Sequence, residues 1–180
     1  MSERYNYNVD CNIQRLLIIL IGAVSYLSII MKQLKTKNQN LINTTSNGVP
    51  YIKKCFTLYG IEVCGVFPVF QGIKVTLDGT VDSLYKELGN TDYAFYHGTM
   101  RLATKKLKQI ITEKLEIRNK FSVEQIKDIE AEKEKISGFI WHHYEELDRE
   151  RPIMQLVDEK LHTACSHTGG SYTWNRKHLV

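Results

Sequence analysis

The stretch that decides the fold is GFIWHHYEELDRERPIMQLVDEKLHTACSHTGG, residues 138–170. Four of the six histidines of the chain fall inside it, and two of them are adjacent. FIWHHY and PIMQLV are short apolar runs, which predict two strands joined by the charged connection EELDRER. DEKLHTACSH has the character of a helix that ends at a pair of glycines. The predicted order is therefore strand, loop, strand, helix.

The four histidines are distributed over both parts of this unit. His142 and His143 are predicted on the first strand, and His162 and His167 on the helix. Neighbouring strand residues point to opposite faces, so His142 and His143 share one task only where a bulge or the strand end redirects one of them. Residues five apart lie about 140° from each other around a helix axis. His162 and His167 therefore converge only if one of them lies at the helix terminus.

Crowded imidazoles indicate a metal centre. Neutral imidazoles are ligands that suit first-row transition metals. A cation beside a phosphodiester stabilises the charge on the phosphate, and a second, free imidazole can accept the proton of the attacking water. The sequence thus predicts a metal-binding histidine and a base histidine within one site. The alternative is that the four histidines are unrelated to one another. His97 and His178 lie outside this group in the sequence and are predicted to be structural.

These residues carry a resemblance to a known family. The motifs WHH (141–143), MQLV (154–157), LH (161–162) and HTGG (167–170) resemble the WHH family of nucleases. That family belongs to the HNH/endonuclease VII superfamily and is common among the C-terminal toxin domains of bacterial polymorphic toxins. GVFPVF (65–70) and the run that begins FSVEQIKDIEAEK (121–133) are also similar to segments of that family. The resemblance covers about residues 49–174.

The resemblance implies a ββα-metal fold and a role for individual residues. His143 would be the general base, and His142, His162 and His167 would hold a divalent ion, which is Zn, Mg, Mn or Ni. Gln155 would orient the base or tie the connecting loop. The implied activity is metal-dependent endonucleolytic hydrolysis of phosphodiester bonds, in DNA rather than RNA, by a bacterial toxin. The implied partners are nucleic acid and a cognate immunity protein of acidic character.

Two alternatives stay open. One is an RNase on the same scaffold, because such sites act on phosphates and base identity hardly enters. The other is a membrane-anchored structural zinc module without catalysis, in which Cys165 completes a closed shell of four ligands. A structural zinc knuckle elsewhere is weakly supported, because none of the four cysteines lies in a CxxC motif. Cys55 and Cys64 are either a disulfide across a hairpin or two buried thiols.

The N-terminal region, residues 1–47, is predicted to be separate from the nuclease domain, residues 48–180. Leu16–Met31 is uncharged and slightly shorter than the roughly 17–25 residues of a membrane-spanning helix. It predicts a membrane anchor or a signal segment, with a docked core helix as the alternative. The polar residues 32–48 are predicted to be a linker. A membrane-anchored or secreted bacterial protein is therefore expected.

Between the linker and the histidines the chain alternates strand and helix signals, so the predicted class is α+β. Tyr51–Phe70 predicts two short strands and a turn, and Ile73–Leu77 a third strand. A short helix is expected to end at Gly89, and an amphipathic helix is expected between Asp92 and Ile117. Ser122 begins a further helix, because a Gln three residues later forms a capping box.

The exposed face of the amphipathic helix is basic. Residues 101–120 contain seven Lys or Arg and two Glu. The whole chain has a formal charge of only +4, so net charge alone does not argue for nucleic acid. A local basic surface does attract polyanions, which makes Arg101, Lys105, Lys106 and Lys108 the predicted nucleic-acid contacts. The alternative is a solvated helix face.

Overall fold

The computed structural model describes residues 31–175 and residue 179. Its strands are β1 (Met31–Gln33), β2 (Thr44–Ser46), β3 (Val49–Leu58), β4 (Ile61–Pro68), β5 (Ile73–Thr76), β6 (Phe139–Asp148) and β7 (Arg151–Asp158). Its α-helices are α1 (Val81–Glu87), α2 (Asp92–Glu113), α3 (Leu115–Arg118), α4 (Val123–Glu130), α5 (Glu159–Ala164) and α6 (Gly170–Thr173). The mixture of elements confirms the predicted α+β class.

The first sheet has the strand order β1-β4-β3-β2. Its centre is the antiparallel hairpin β3–β4, predicted from the sequence, which turns at Tyr59 and Gly60, both with positive φ. The polar stretch predicted as a linker supplies Lys32 and Gln33 of β1 and the whole of β2, together with a short 3-10 helix between them. Its polar residues suit this position, because β1 and β2 are the two edges of the sheet.

The second sheet has the order β5-β7-β6 and carries the WHH motif. The predicted hairpin of β6 and β7 is confirmed, but the predicted long charged connection is wrong. β6 continues to Asp148, and only Arg149 and Glu150, both with positive φ, form the turn. The acidic residues of β6 are tolerated because they have partners. Glu145 forms an ion pair with Lys54, and Asp148 forms one with Arg151.

Helix α2 packs on one face of the second sheet. Trp141 on β6 donates a hydrogen bond from Nε1 to Oγ1 of Thr104 on α2, at 2.8 Å. Leu107 and Ile111 of α2 are buried in the same apolar cluster as Trp141. The amphipathic helix was predicted to reach Ile117, but α2 ends at Glu113, because Lys114 adopts an extended conformation before α3 begins. The capping box at the start of α4 is confirmed.

Helix α5 completes a ββα unit directly after β7. Asp158 caps it by accepting a hydrogen bond from the backbone N–H of Leu161, at 2.9 Å. The helix ends at Ala164. His167 therefore lies three residues beyond the helix and not on it, which corrects the predicted placement of this residue.

The predicted apolar anchor, Leu16–Met31, lies outside the described residues except for Met31, which begins β1. Within residues 31–175 no helix combines the length and the apolar character that crossing a bilayer requires.

Candidate metal centre

Three of the four clustered histidines converge on one point. The ligand nitrogens of His142, His162 and His167 all lie within 4.8 Å of one another. His142 comes from β6, His162 from α5, and His167 from the segment that follows α5. The ring centroid of His167 lies 4.8 Å from that of each of the other two. Three imidazoles from a span of 26 residues, 142–167, are thus brought together.

One distance between ligand nitrogens is close to that expected for two ligands of one cation. Nδ1 of His142 lies 3.2 Å from Nε2 of His167. Two nitrogens bound to one tetrahedral zinc ion, each about 2.0–2.1 Å from it, are separated by roughly 3.3–3.4 Å. Nδ1 of His167 lies 2.6 Å from the carbonyl oxygen of Cys165. Because that oxygen can only accept, Nδ1 of His167 carries the proton, and its Nε2 presents a lone pair.

The protonation states also suit ligation. Burial, together with the neighbouring His167 and His142, lowers the pKa of His162 to about 4. Burial likewise lowers the pKa of His167 to about 4, with His142 contributing in the same direction. Both imidazoles are therefore neutral at pH 7, which is the form that binds a metal.

Phe70 forms an apolar side of the cluster. Its ring centroid lies 5.2, 5.5 and 5.3 Å from those of His142, His162 and His167. Gln155, which lies opposite His142 in the β6–β7 ladder, donates a hydrogen bond from Nε2 to the carbonyl oxygen of Phe70, at 2.8 Å. Gln155 is 2% exposed. In this position it ties the segment after β4 to the second sheet.

The glycines of the HTGG motif permit a close backbone approach to β6. A Cβ atom on Gly170 would lie 2.2 Å from the carbonyl oxygen of Tyr144, far inside van der Waals contact. On Gly169 it would lie 3.3 Å from the carbonyl oxygen of His143. The absence of side chains here lets the segment that carries His167 lie against the strand that carries His142.

His143 occupies the opposite face of β6 and does not join the cluster. Its ring is 4% exposed, stacks on Tyr96 with centroids 4.6 Å apart, and meets the edge of Trp174. Nε2 lies 2.9 Å from Oγ1 of Thr99 on α2. Burial lowers the pKa of His143 to about 3. The two neighbouring histidines were predicted to share one site, and the structure separates them by strand alternation. The role of His143 as general base stays a prediction that this geometry does not support.

The basic face of α2 is also remote from the cluster. α2 covers the face of β6 that carries Trp141 and His143, whereas His142 points away from it. Most of the predicted nucleic-acid contacts have acidic partners: Arg101 pairs with Glu134 at 3.3 Å, Lys106 with Asp78 at 2.9 Å and Lys108 with Glu132 at 2.8 Å. The structure therefore does not bring Arg101, Lys105, Lys106 and Lys108 to the three imidazoles.

Other cations, missed by the sequence reasoning, lie on the histidine side of the sheet. Lys74 on β5 is opposite Gln155, which is opposite His142, so the three form one row. Nζ of Lys74 lies 3.4 Å from the ring centroid of Tyr144. Lys54 on β3 donates to the Tyr144 hydroxyl at 3.2 Å. The sequence signals were weak: Lys74 is the polar position of an alternating strand, and Tyr144 lies two residues after His142.

The cysteines do not complete a metal shell in the described part of the chain. Cys165 is buried, its thiol is directed at the carbonyl oxygen of Ser46 at 3.7 Å, and it is not among the three clustered ligands. Cys55 and Cys64 form a disulfide between directly paired residues of β3 and β4. Of the two alternatives for this pair, the disulfide is thus the one observed. A cation held by these three imidazoles alone would keep a coordination position for water, as catalytic zinc sites do.

Three imidazoles from the ββα unit and the segment that follows it form a donor set that could hold a cation. The chain belongs to the family of DNase/tRNase domains of colicin-like bacteriocins. The match to this family covers residues 59–169, more than half of the chain. The chain therefore carries a bacterial toxin nuclease domain, and that part of the prediction is confirmed. No curated protein and no solved structure showed significant similarity to the chain. The matched range includes His142, His162 and His167.

Proposed function

We propose that the protein is a metal-dependent endonuclease of the WHH branch of the HNH superfamily and that it hydrolyses phosphodiester bonds in DNA. The observation that carries the proposal is the convergence of three imidazole ligands within 4.8 Å on the ββα unit. His142, His162 and His167 would hold the divalent ion, which is Zn, Mg, Mn or Ni. Such a cation lowers the pKa of a bound water and neutralises charge on the scissile phosphate.

The residues around the cluster have separate tasks in this proposal. Phe70 excludes water from one side of the imidazoles, which strengthens electrostatic interactions there. Lys74 is exposed at the end of the row that begins at His142, where it can neutralise a backbone phosphate. The four predicted contacts on α2 remain a second candidate surface for nucleic acid, on the other side of the sheet.

A cation site supports DNA as the substrate in this proposal. RNA has a 2′-hydroxyl group next to each phosphate, whereas DNA has none. Because DNA lacks this internal nucleophile, its hydrolysis requires an activated water, and a three-ligand cation site with an open position supplies one. Cation-independent cleavage of RNA alone would instead favour the RNase alternative.

The test is cleavage of supercoiled plasmid and of total RNA by the purified full-length chain. We expect plasmid nicking with at least one of Mg²⁺, Mn²⁺, Ni²⁺ and Zn²⁺, and none with EDTA. His142→Ala and His162→Ala should lose both cation affinity and cleavage. His97→Ala is the matched control, because His97 lies outside the cluster and contacts Glu134 at 3.3 Å. A wild-type protein that leaves DNA intact with every cation would overturn the proposal.

The toxin context supports two further proposals. A nuclease that is toxic to its own cell requires an inhibitor, so we expect an acidic immunity protein that covers the basic face of α2 or the histidine cluster. Binding between this chain and the product of the adjacent gene tests that expectation. The Cys55–Cys64 disulfide is compatible with a secreted protein, because disulfides persist in oxidising compartments.

A further inference from the structure

The most unusual buried group beside the cluster is the carboxylate of Glu145, which is 1% exposed. Oε1 forms an ion pair with Lys54 on β3. Oε2 has no hydrogen-bond partner among the described residues, yet it lies 3.7 Å from Nε2 of His142. Buried carboxylate oxygens are rarely left unpaired, because removing a charged group from water is strongly unfavourable. The position of this oxygen therefore calls for a function.

Glu145 reaches His142 because β6 is irregular at this point. Residues three apart on a regular strand point to opposite faces. The β6–β7 register shifts between His143 and Leu147, and such a bulge redirects side chains. The carbonyl oxygen of Glu145 also accepts a hydrogen bond from Oγ1 of Thr173, at 2.8 Å. The backbone is thus fixed in a conformation that aims this carboxylate at the ring of His142.

We propose that Glu145, held by Lys54, is a positioning residue that orients His142 as a cation ligand. This inference rests on the proposed cation site. A neutral imidazole carries one proton, and a carboxylate beside Nε2 selects the form in which Nε2 is protonated. Nδ1, which faces Nε2 of His167, then presents its lone pair to the cation. Carboxylates placed behind ligating histidines fix the ring in this way and increase its basicity.

Lys54 gives the carboxylate a second fixed contact. It lies on β3 of the first sheet, 91 residues before Glu145, and its side chain is 13% exposed. A buried carboxylate without a cationic partner is strongly unfavourable, so removal of Lys54 alone would destabilise the fold. The Lys54–Glu145 pair therefore connects the geometry of the cation site to the first sheet.

The experiment is a titration of the full-length apoprotein with Co²⁺ and Zn²⁺, in competition with a chelator, at a temperature where every variant is folded. Glu145→Gln should weaken cation binding by about 10–100-fold, the usual effect of losing such a partner. Asp128→Asn is the matched control. Asp128 is also a buried acid paired with a lysine, Lys133, and its other bonds are to Ser137. It should lose stability and keep wild-type affinity.

The outcomes separate this inference from the proposed function. A wild-type chain that binds neither cation overturns the cation site itself. Wild-type binding with unchanged affinity in Glu145→Gln overturns the positioning role, as does a Co²⁺ spectrum that shows the loss of one ligand, since Glu145 would then bind directly. If Glu145→Gln does not fold, the double variant Lys54→Met/Glu145→Gln removes both charges together. It should fold and show the same weakening, and wild-type affinity there would also overturn the inference.

Discussion

Acidification of the apoprotein should reveal whether His143 is a buried, neutral residue of the core. Its folded pKa of about 3 lies far below the ordinary value of 6.5. As the pH falls below 6.5, His143 therefore binds a proton in the unfolded chain but not in the folded chain. Stability attributable to this residue is complete above pH 6.5 and is lost progressively as the pH falls towards 3.

The magnitude follows from the two pKa values. Each pH unit below 6.5 lowers the free energy of unfolding by about 1.4 kcal/mol for each histidine that stays neutral in the folded state. His143 alone should therefore lower the free energy of unfolding by about 2 kcal/mol at pH 5. His162 and His167, with folded pKa values of about 4, change stability in the same direction over this range. The apoprotein should consequently become much less stable between pH 7 and pH 5.

The assay is urea denaturation in EDTA at half-unit intervals from pH 7.5 to pH 5, for the wild type and His143→Phe. Phenylalanine keeps the stacking on Tyr96 and loses the bond to Thr99, whose hydroxyl still lies 2.9 Å from the carbonyl oxygen of Phe95. We expect a cost of about 1 kcal/mol at pH 7.5. The variant should be the more stable protein at pH 5, because it lacks the histidine that is protonated only on unfolding.

Two results would refute the reasoning. Parallel stability curves for the two proteins would show that His143 titrates normally in the folded state and is therefore accessible. A His143→Phe variant with wild-type stability but no nuclease activity would show that His143 takes part in catalysis, as the family resemblance implies. Retained cleavage in that variant would confirm its role in packing.

Three shorter predictions follow from other parts of the structure. Reduction of the Cys55–Cys64 disulfide, which spans nine residues, should cost about 2.6 kcal/mol by loop entropy. Calorimetry should then show a Tm about 5–10 °C lower. In a catalytically inactive background, Lys74→Glu should weaken DNA binding and lower the salt dependence of that binding, whereas Lys106→Glu should change neither. Filter binding at several salt concentrations measures both effects. Gly170→Ala should lower both Tm and Zn²⁺ affinity, since its Cβ would collide with the backbone of β6.

Much of the site-bearing unit could be predicted from local signals. The apolar runs around WHH and MQLV are bounded by Gly138 and Pro152, which locates both strands. The paired glycines after His167 end the motif. Glycine is required there because the backbone of this segment lies against the backbone of β6 in the same unit. Three of the four histidines converge because they lie on β6, on α5 and on the segment that directly follows α5. Such features depend on contacts between residues that are close in sequence.

The remaining features depend on contacts that no local pattern specifies. Lys54 meets Glu145 across the two sheets, 91 residues away. Cations of α2 form ion pairs with acids from other segments, such as Asp78 and Glu132. The positive potential of that face is therefore weaker than the run of basic residues in the sequence suggests. The length of β6 was underestimated because its acidic residues resemble a loop until their partners are known. These errors have one physical cause: charge alone does not show whether a partner exists.

Strand alternation explains why two adjacent histidines differ so strongly. His142 and His143 belong to opposite faces of β6, so a shift of one residue in its pairing with β7 would exchange them. Met154, opposite His143, is fully buried, whereas Gln155, opposite His142, lies on the face of the histidine cluster. The apolar face of β7 thus fixes the register, and the register decides which imidazole can reach a cation. An insertion of one residue between His143 and Leu147, where the register already shifts, would displace Glu145 from His142.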